Sequence, residues 1–487
     1  MRETVFESYV CDVSLARQWQ GTPGGGALMA GSGFGMQALV KKLKLLQVGD
    51  AAVRRNPLFY ADAQRELERL EAAGFNERRQ WTRDRLSKLL FPASRSGYGL
   101  IVRGGGDIAS WPLLTKAEVR AAPGAFAMGS RLFTIKANTG GTSGEPLEIV
   151  RSLRSIVFEQ VCIDRMMQKV GVDARSARCA VLRTESIKDP NDFKPPYWVH
   201  AGGGNRLVLS STHLNAATVE HYARAIDEFA PECLLGYPTS LEALCFLLRR
   251  AGRRVNIPAV LCSSEVLHPR VWQVARETLG CRILDYYGQA ERVAFAYATA
   301  PGEYKFLPGY AHVEFEAAGR EGAYQLYEII GTPLWNRSMA MIRYRTGDMI
   351  RVPAAWGERE LEELALGVRT FAGVLGRDSD ILITPNGVKV TGISHFQRDV
   401  ANIERIQVIQ ETAAKVVILV LEAEGYSNWD RERLLHNARE KLPRNMHIEI
   451  RSVTALERTA RGKTPFVIHR PQVKELLNNT RAHGNIA

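Results

Sequence analysis

Hydrophobic and polar positions along the chain predict a succession of helices and strands. Apolar residues recur every three or four positions over residues 60–91 and 152–170, which is the spacing of one buried helix face. The same spacing predicts helices over residues 219–230 and 240–251, joined through Gly236-Tyr237-Pro238. This part of the chain is therefore expected to be rich in helices.

Short apolar runs followed by polar residues predict parallel strands in the middle of the chain. Two such runs flank a helical stretch, with strands over residues 259–262 and 281–284 and the helix over 269–279. Strand–helix–strand order is typical of a parallel α/β unit, whose ligands collect at the carboxyl ends of the strands. We therefore expect Glu265, after the first strand, and residues 287–291, after the second, to lie on one rim of a sheet.

The pattern changes near residues 373–380, which we interpret as a domain boundary. Before it, residues 311–352 alternate like antiparallel strands. After it, the pattern predicts a Pro385-Asn386-Gly387 turn, strands over 388–390, 406–410, 415–421 and 447–451, and helices over 394–401 and 429–442. The predicted fold class is α/β, with a large N-terminal domain of α/β layers and a small antiparallel β part (1–375) and a small, mobile C-terminal α+β domain (376–487).

Composition places the chain among globular proteins of enzyme size. Its 487 residues are 45% hydrophobic and 24% charged. We find neither a long apolar run nor a secretory leader, so we expect no membrane span and a cytoplasmic location. Seven cysteines are scattered along the chain without a Cys-x2-Cys pair, which favours reduced thiols and no zinc site.

A net charge of +12 indicates anionic partners. The basic residues are spread along the chain and match no nucleic-acid-binding module, so we expect no nucleic-acid partner. Phosphorylated small molecules and acidic proteins fit the charge equally well.

A stretch rich in glycine and hydroxyl groups lies at residues 139–147, between two apolar runs that predict strands. Glycines let backbone N–H groups converge on a small anion, and hydroxyls add rotatable donors. The sequence therefore predicts a phosphate-binding loop, although a β-turn without a ligand has the same composition. The residues in question are Thr139, Gly140, Gly141, Thr142, Ser143 and Gly144.

Four later segments complete an ordered set with this loop. They are Tyr-Gly-Gln-Ala-Glu at 287–291, Tyr-Arg-Thr-Gly-Asp at 344–348, Gly-Arg-Asp-Ser-Asp at 376–380 and Arg-Gly-Lys at 461–463. In this order the chain resembles the adenylate-forming superfamily of acyl-CoA synthetases, adenylation domains and luciferases over about residues 112–465. It is most similar to the phenylacetate–CoA ligase and CapK-like branch, on residues 112–116, 235–238, 263–267 and 336–348.

The resemblance implies a role for each segment. The 139–147 loop would hold the β- and γ-phosphates of ATP, and Glu291 would bind Mg²⁺, which prefers oxygen ligands. Lys463 would contact the α-phosphate, Asp348 would accept both ribose hydroxyls, and Arg377 would reach the ribose or phosphate end. The resemblance thus makes Lys463, Glu291 and Arg377 the catalytic residues.

The same resemblance implies where the base and the acid bind. Tyr287 would stack on adenine, opposite residues 263–265. Tyr237 and Pro238, with residues 294–297, would line a pocket for a small aromatic acid. The expected nucleotide-binding residues of this region are Ser263, Ser264, Glu265, Asp285, Tyr286, Tyr287, Gly288, Gln289 and Ala290.

The implied activity is that of an AMP-forming acid–thiol ligase. The small domain would swing after the acyl-adenylate forms, so that Lys463 leaves and a second substrate enters. That substrate is expected to be CoA or the phosphopantetheine of an acidic carrier protein. Relatives are often dimers, which makes a homodimer an expectation as well.

Four residues depart from the pattern of the superfamily. Gly140 replaces a common Ser, Glu145 a Lys, Ala290 a Thr and Ser379 an acidic hinge residue. The first three bear on phosphate binding and the last on the domain swing. Two alternatives therefore stay open: transfer of the acyl group to an amine or hydroxyl, and a non-catalytic nucleotide-binding relative.

Overall fold

The computed structural model describes most of the chain from residue 53 onward. The described residues are 53–129, 134–138, 147–183, 187, 192, 194–211, 213–377, 382–385, 389–390, 393–397, 400, 402–458 and 464–475. They divide into two compact units. The first runs to Gly373 apart from Gly347–Met349, and the second comprises Gly347–Met349 and the residues from Val374 onward.

The helices and strands of the first unit alternate in its middle part. The helices are α1 (Pro57–Ala72), α2 (Phe75–Ala93), α3 (Gly97–Val102), α4 (Lys116–Ala121), α5 (Leu153–Lys169), α6 (Val219–Phe229), α7 (Pro238–Arg250), α8 (Pro269–Leu279) and α9 (Glu358–Ala365). The strands are β1 (Thr134–Asn138), β2 (Glu148–Ser152), β3 (Cys179–Arg183), β4 (Trp198–Ala201), β5 (Arg206–Ser210), β6 (Cys233–Gly236), β7 (Ala259–Ser263), β8 (Arg282–Gly288), β9 (Phe295–Ala298), β10 (Lys305–Phe306), β11 (Ala311–Glu321), β12 (Tyr324–Pro333) and β13 (Tyr344–Pro353).

An eight-stranded sheet forms the middle of this unit, in the order β10-β9-β8-β7-β6-β3-β5-β4. The strands from β8 to β5 in this order are parallel, and β4, β9 and β10 pair antiparallel at the edges. Every residue of β3, β6 and β7 is buried, as expected for parallel strands covered on both faces. The predicted α/β class and the parallel β7–α8–β8 unit are confirmed.

The strands predicted on either side of the glycine-rich stretch form an antiparallel hairpin. β1 pairs with β2 from Thr134↔Ser152 to Asn138↔Glu148. Residues 139–146, which connect them, lie outside the described residues. The helix predicted over residues 60–91 is two helices, because Ala73 and Gly74 take extended backbone angles between α1 and α2.

The second unit is an α+β unit. After β14 (Val374–Arg377), a short pair of strands precedes a sheet in the order β19-β18-β17-β20. Its other elements are β15 (Leu382–Ile383), β16 (Lys389–Val390), a 3₁₀ turn (Ile393–Gln397), β17 (Ile403–Thr412), β18 (Lys415–Glu422), α10 (Asn428–Lys441), β19 (His447–Ser452) and β20 (Val467–His469). Apolar residues of β17, β18 and α10 form its core. Of the helix predicted over residues 394–401, the described residues 394–397 belong to the 3₁₀ turn, and residues 398, 399 and 401 lie outside the described residues.

Candidate active site

Polar or aromatic residues lie at or near the carboxyl ends of four neighbouring strands of the central sheet. The register aligns Leu182 of β3 with Gly236 of β6, and Ser263 of β7 with Tyr286 of β8. Arg183, Tyr237, Ser263 and Tyr286 therefore follow one another along the carboxyl edge, where α/β sheets bind ligands. Three of these residues are expected from the sequence, and the structure brings them together.

Arg183 is the member of this row that sequence reasoning missed. Its side chain is buried, its Nη2 donates to Ser263 Oγ over 3.2 Å, and its Cζ lies 5.1 Å from the centroid of the Tyr237 ring. A guanidinium over an aromatic face is an attractive cation–π contact. Its only signal in the sequence is a basic residue directly after an apolar run, which is also a common pattern at strand ends.

The residues after β7 are fixed by the start of α7. Glu265 Oε2 accepts a hydrogen bond from the backbone N–H of Thr239 at 3.0 Å, in the first turn of that helix. A carboxylate is favourable there because it faces the positive end of the helix dipole. Ser264 has a φ of +72°, a strained value for a residue with a side chain. Glu265 thus links the predicted adenine wall to the predicted acyl pocket, where Pro238 is buried as the first residue of α7.

Asp285 lies within β8 and not beyond its end, because the strand continues to Gly288. Its carboxyl group is buried and accepts a hydrogen bond from the Tyr304 hydroxyl. Its Oδ1 is buried, and none of the described residues forms a hydrogen bond with it. Burial raises the pKa of Asp285 to about 7, since the charged form loses its hydration. A nucleotide-binding role for Asp285 stays a prediction.

Replacing Asp285 with Asn is expected to weaken the pH dependence of stability. The pKa of Asp285 is raised to about 7 in the folded protein, so the folded state holds a proton that the unfolded chain releases above about pH 4. Stability should therefore fall as the pH rises between these values. Asn keeps an oxygen for Tyr304 and carries no charge. Urea unfolding midpoints across this window should fall less in Asp285→Asn than in the wild type, and parallel profiles would contradict this account.

After β8 ends at Gly288, the chain forms a turn over residues 289–294 that is held by nearby side chains. Tyr286 stacks on Phe295 with ring centroids 5.4 Å apart. Gln289 donates from Nε2 to the Tyr287 hydroxyl, and its Oε1 accepts from the Ala294 N–H at 3.2 Å. Gly288 is exposed and Tyr287 half-buried, so both remain accessible at the edge of the sheet.

Glu291 lies in this turn, which the Arg292 N–H closes on the Gln289 carbonyl at 3.0 Å. The Glu291 side chain is buried, and its Oε1 accepts from the hydroxyl of Tyr344, the first residue of β13, at 3.0 Å. No other hydrogen bond to this carboxylate comes from the part of the chain that the structure describes. Its remaining acceptor capacity suits a hard cation such as Mg²⁺. Sequence reasoning gave Tyr344 no role of its own.

Strand β12 packs tightly against the residues that follow Glu291. A Cβ atom added at Gly331 would lie 2.0 Å from the Val293 carbonyl oxygen, so only glycine fits without movement. Val293 and Tyr344 belong to one apolar cluster with Leu147 and Ile149 of the hairpin. The turn that carries Glu291 is therefore held against both the hairpin and β13.

The remaining predicted residues belong to the second unit or lie outside the described residues. Asp348 is buried in β13, and Arg377 is the last residue of β14. Lys463 and the loop residues from Thr139 to Gly144 lie outside the described residues. Their roles stay predictions.

The described residues hold neither a candidate metal cluster of acidic, His or Cys side chains nor a helix suited to span a membrane. No group of three or more His, Cys, Asp or Glu side chains within them could hold a metal ion. None of the helices they form has the length and apolar character that crossing a membrane needs.

Comparisons with known proteins find relatives over most of the chain. A family model described as the CapK C-terminal domain matches residues 382–470. Protein CapK of Staphylococcus aureus is 20% identical over 375 residues, which cover 74% of this chain and 80% of that protein.

Solved structures of 2-hydroxyisobutyryl-CoA ligase share the fold. The ligase in the postadenylation state with 2-HIB-AMP gives a TM-score of 0.59 at 14% identity, covering 83% of this chain and 92% of that one. The same ligase with R3-HIB-AMP gives 0.57 at 13% identity, with the same coverage of both chains. The resemblance seen in the ordered motifs is confirmed: the chain has the fold of the adenylate-forming enzymes and is similar to the CapK-like branch.

Proposed function

We propose that this protein activates a carboxylic acid with ATP and transfers the acyl group to a thiol. The observation that carries the proposal is the buried Glu291, held by Tyr344 in a turn that matches the superfamily motif on an adenylate-forming fold. A carboxylate in that position would bind Mg²⁺ and hold the metal-bound phosphates of ATP. The 1–375 domain would bind ATP and the acid, and the 376–487 domain would act as the lid.

The first step joins the acid to the α-phosphate. A carboxylate oxygen of the acid attacks the α-phosphorus, the bond from that phosphorus to the bridging oxygen breaks, and pyrophosphate leaves. The acid is ionised near neutral pH, so no general base is needed. Lys463 would stabilise the charge that develops on the α-phosphate and the bridging oxygen, with Arg377 at the ribose or phosphate end and Asp348 on the ribose.

The second step moves the acyl group to a sulfur atom. The thiol sulfur, after losing its proton, attacks the acyl carbon, and AMP leaves with one oxygen of the original carboxylate. We propose CoA or the phosphopantetheine of an acidic carrier protein as the thiol. The net charge of +12 supports either one, because both are anionic.

We propose a small aromatic acid as the substrate. Tyr237, directly after β6, and Tyr286, in β8, lie at the carboxyl edge of the sheet on either side of β7. Residues 294–297 include the buried Ala294 and Phe295. Aromatic walls contribute large apolar contact areas to a pocket. The buried Arg183 beside Tyr237 adds a polar group to the same edge.

ATP–pyrophosphate exchange against a panel of aryl, amino-aryl and fatty acids tests this proposal. We expect one aryl acid to drive exchange, and CoA or a phosphopantetheine thiol to consume the adenylate. Consumption by amines or hydroxyl compounds instead, with CoA inert, would favour amide or ester formation, which the Ser379 hinge position motivates. No exchange together with no ATP binding by calorimetry would favour a non-catalytic relative.

A further inference from the structure

An arginine occupies an inward-facing position of the hairpin strand that follows the glycine-rich stretch. Side chains alternate along β2, and Ile149 and Arg151 are its two buried residues. Ile149 packs with Val293 and Tyr344 in an apolar cluster, as an inward position predicts. Arg151 is only 7% exposed. Its guanidinium therefore occupies a buried position of β2 at which the alternating pattern predicts an apolar side chain.

Burying this guanidinium is costly, and its contacts offset only part of the cost. Its Nη2 donates to the Ala290 carbonyl oxygen over 2.5 Å. Its Nε is buried and has no hydrogen-bond partner among the residues that the structure describes. Burial, with the neighbouring charge of Arg292, lowers the pKa of Arg151 to about 9. A buried cation with an orphaned donor has a free-energy cost that packing alone does not explain.

The carboxylate of Glu159, whose charge acts on Arg151, is already engaged by other groups. Arg292 Nε lies 3.6 Å from Glu159 Oε2, which also accepts from the Tyr310 hydroxyl. Arg292 further donates to the Ser155 carbonyl at 2.8 Å. Among the described residues Arg151 forms no ion pair within 4 Å, so its one directed contact is the Ala290 carbonyl. The position of this arginine is thus defined by the turn that carries Glu291.

We propose that Arg151 is a positioning residue for acid activation, which holds the Ala290 carbonyl and thereby orients the peptide that carries Glu291. The Ala290 carbonyl and the Glu291 N–H share one rigid plane, so a bond to the first fixes the direction of the second. Tyr344 holds the Glu291 carboxylate at 3.0 Å, and Arg151 holds its backbone. The inference rests on the function proposed above.

Arg151 also bears on a departure from the superfamily pattern. Ala290 lacks the hydroxyl that the resemblance expects to help hold the α-phosphate. The Arg151 guanidinium contacts Ala290 itself, so positive charge lies beside the residue that lost the hydroxyl. Charge in a water-poor site acts more strongly on a phosphate than the same charge in solvent.

Arg78 provides a matched control for a purely structural arginine. It is also buried, and its guanidinium donates to the carbonyls of Leu70, Leu366 and Gly367 at 2.8, 3.0 and 2.9 Å. None of these groups belongs to the turn that carries Glu291. Arg78→Met therefore removes a buried arginine of the same unit without touching the proposed site.

The test compares Arg151→Met, Arg151→Lys and Arg78→Met in the full chain. The readouts are kcat and KM for ATP in pyrophosphate exchange, the Mg²⁺ concentration at half-maximal exchange, and the unfolding midpoint. We expect Arg151→Met to lower exchange by about 10- to 100-fold and to require more Mg²⁺, as loss of a supporting residue around a metal ligand does. Arg151→Lys should recover part of the loss. Arg78→Met should lower stability and leave the Mg²⁺ requirement unchanged.

The outcomes separate this inference from the proposed function. If the wild type exchanges and Arg151→Met loses only stability, as Arg78→Met does, the inference is overturned while the proposed function stands. If the wild type neither exchanges nor binds ATP with Mg²⁺ by calorimetry, both are overturned. Should Arg151→Met fail to fold, Arg151→Gln takes its place, because its shorter, uncharged side chain cannot replace the guanidinium that reaches the Ala290 carbonyl. A wild-type Mg²⁺ requirement in Arg151→Gln overturns the inference.

Discussion

Replacing Glu291 with Gln is expected to lower acid-dependent pyrophosphate exchange by at least about 100-fold. The substitution removes the negative charge and keeps the shape of the side chain. An amide oxygen can still accept from the Tyr344 hydroxyl, which donates to Glu291 Oε1 over 3.0 Å in the wild type. The fold should therefore survive, and the loss should be in kcat and in the response to Mg²⁺. Steady-state exchange measured over a range of Mg²⁺ concentrations checks both.

Tyr344→Phe is the control that distinguishes the effect of the Glu291 charge from the effect of the position of its carboxylate. It removes the hydrogen bond and leaves the Glu291 carboxylate in place, so we expect a smaller loss of about 10-fold. The remaining activity should keep a wild-type dependence on acid concentration. Wild-type exchange in Glu291→Gln, with a normal Mg²⁺ requirement, would exclude Glu291 from the role assigned to it.

Replacing Lys463 with Ala is expected to lower exchange by about 100- to 1,000-fold while leaving thioester formation from a supplied acyl-adenylate nearly unchanged. The reason is that Lys463 is assigned to the first step only and leaves before the second. Its charge would stabilise the bridging oxygen as pyrophosphate departs. Two assays on one protein sample measure the two half-reactions separately. The first is pyrophosphate exchange with the acid, and the second is AMP release from the synthetic adenylate with CoA.

Arg458→Ala is the matched control for Lys463→Ala. Arg458 belongs to the same basic stretch and is exposed. Removing it changes the net charge by the same amount and should leave both half-reactions within about twofold, since exposed charges contribute little to local energetics. Equal losses in the two variants, or equal loss of both half-reactions in Lys463→Ala, would assign the basic stretch a general electrostatic role.

The fold was largely predictable because its central strands carry strong local signals. Apolar runs flanked by turn residues predicted β7, α8 and β8, and the structure pairs these strands in parallel. The apolar runs on either side of the glycine-rich stretch predicted two strands, which β1 and β2 form as an antiparallel pair. Boundaries were less accurate, since a strand such as β8 continues through polar residues as long as its neighbours pair with it.

The candidate site was predictable where residues are adjacent in sequence, and much less so where they come from different strands. Glu291 stands in a recognisable motif, whereas its partner Tyr344 reaches it from β13, and Arg151 reaches the same turn from β2. Neither contact produces a recognisable spacing of hydrophobic and polar residues in the sequence. The nucleotide-binding role of Glu265 stays a prediction, and the contact of its carboxylate with the start of α7 is a tertiary interaction that local spacing does not encode.

The most direct test of adenylation follows an oxygen atom. The carboxylic acid that drives exchange is prepared with ¹⁸O in both carboxylate oxygens. The AMP formed during turnover of this acid with CoA is then analysed by mass spectrometry. If the carboxylate attacks the α-phosphorus, as proposed, each AMP should carry one ¹⁸O atom. Turnover that yields unlabelled AMP, or ADP with labelled inorganic phosphate, would contradict the acyl-adenylate and with it the proposed function.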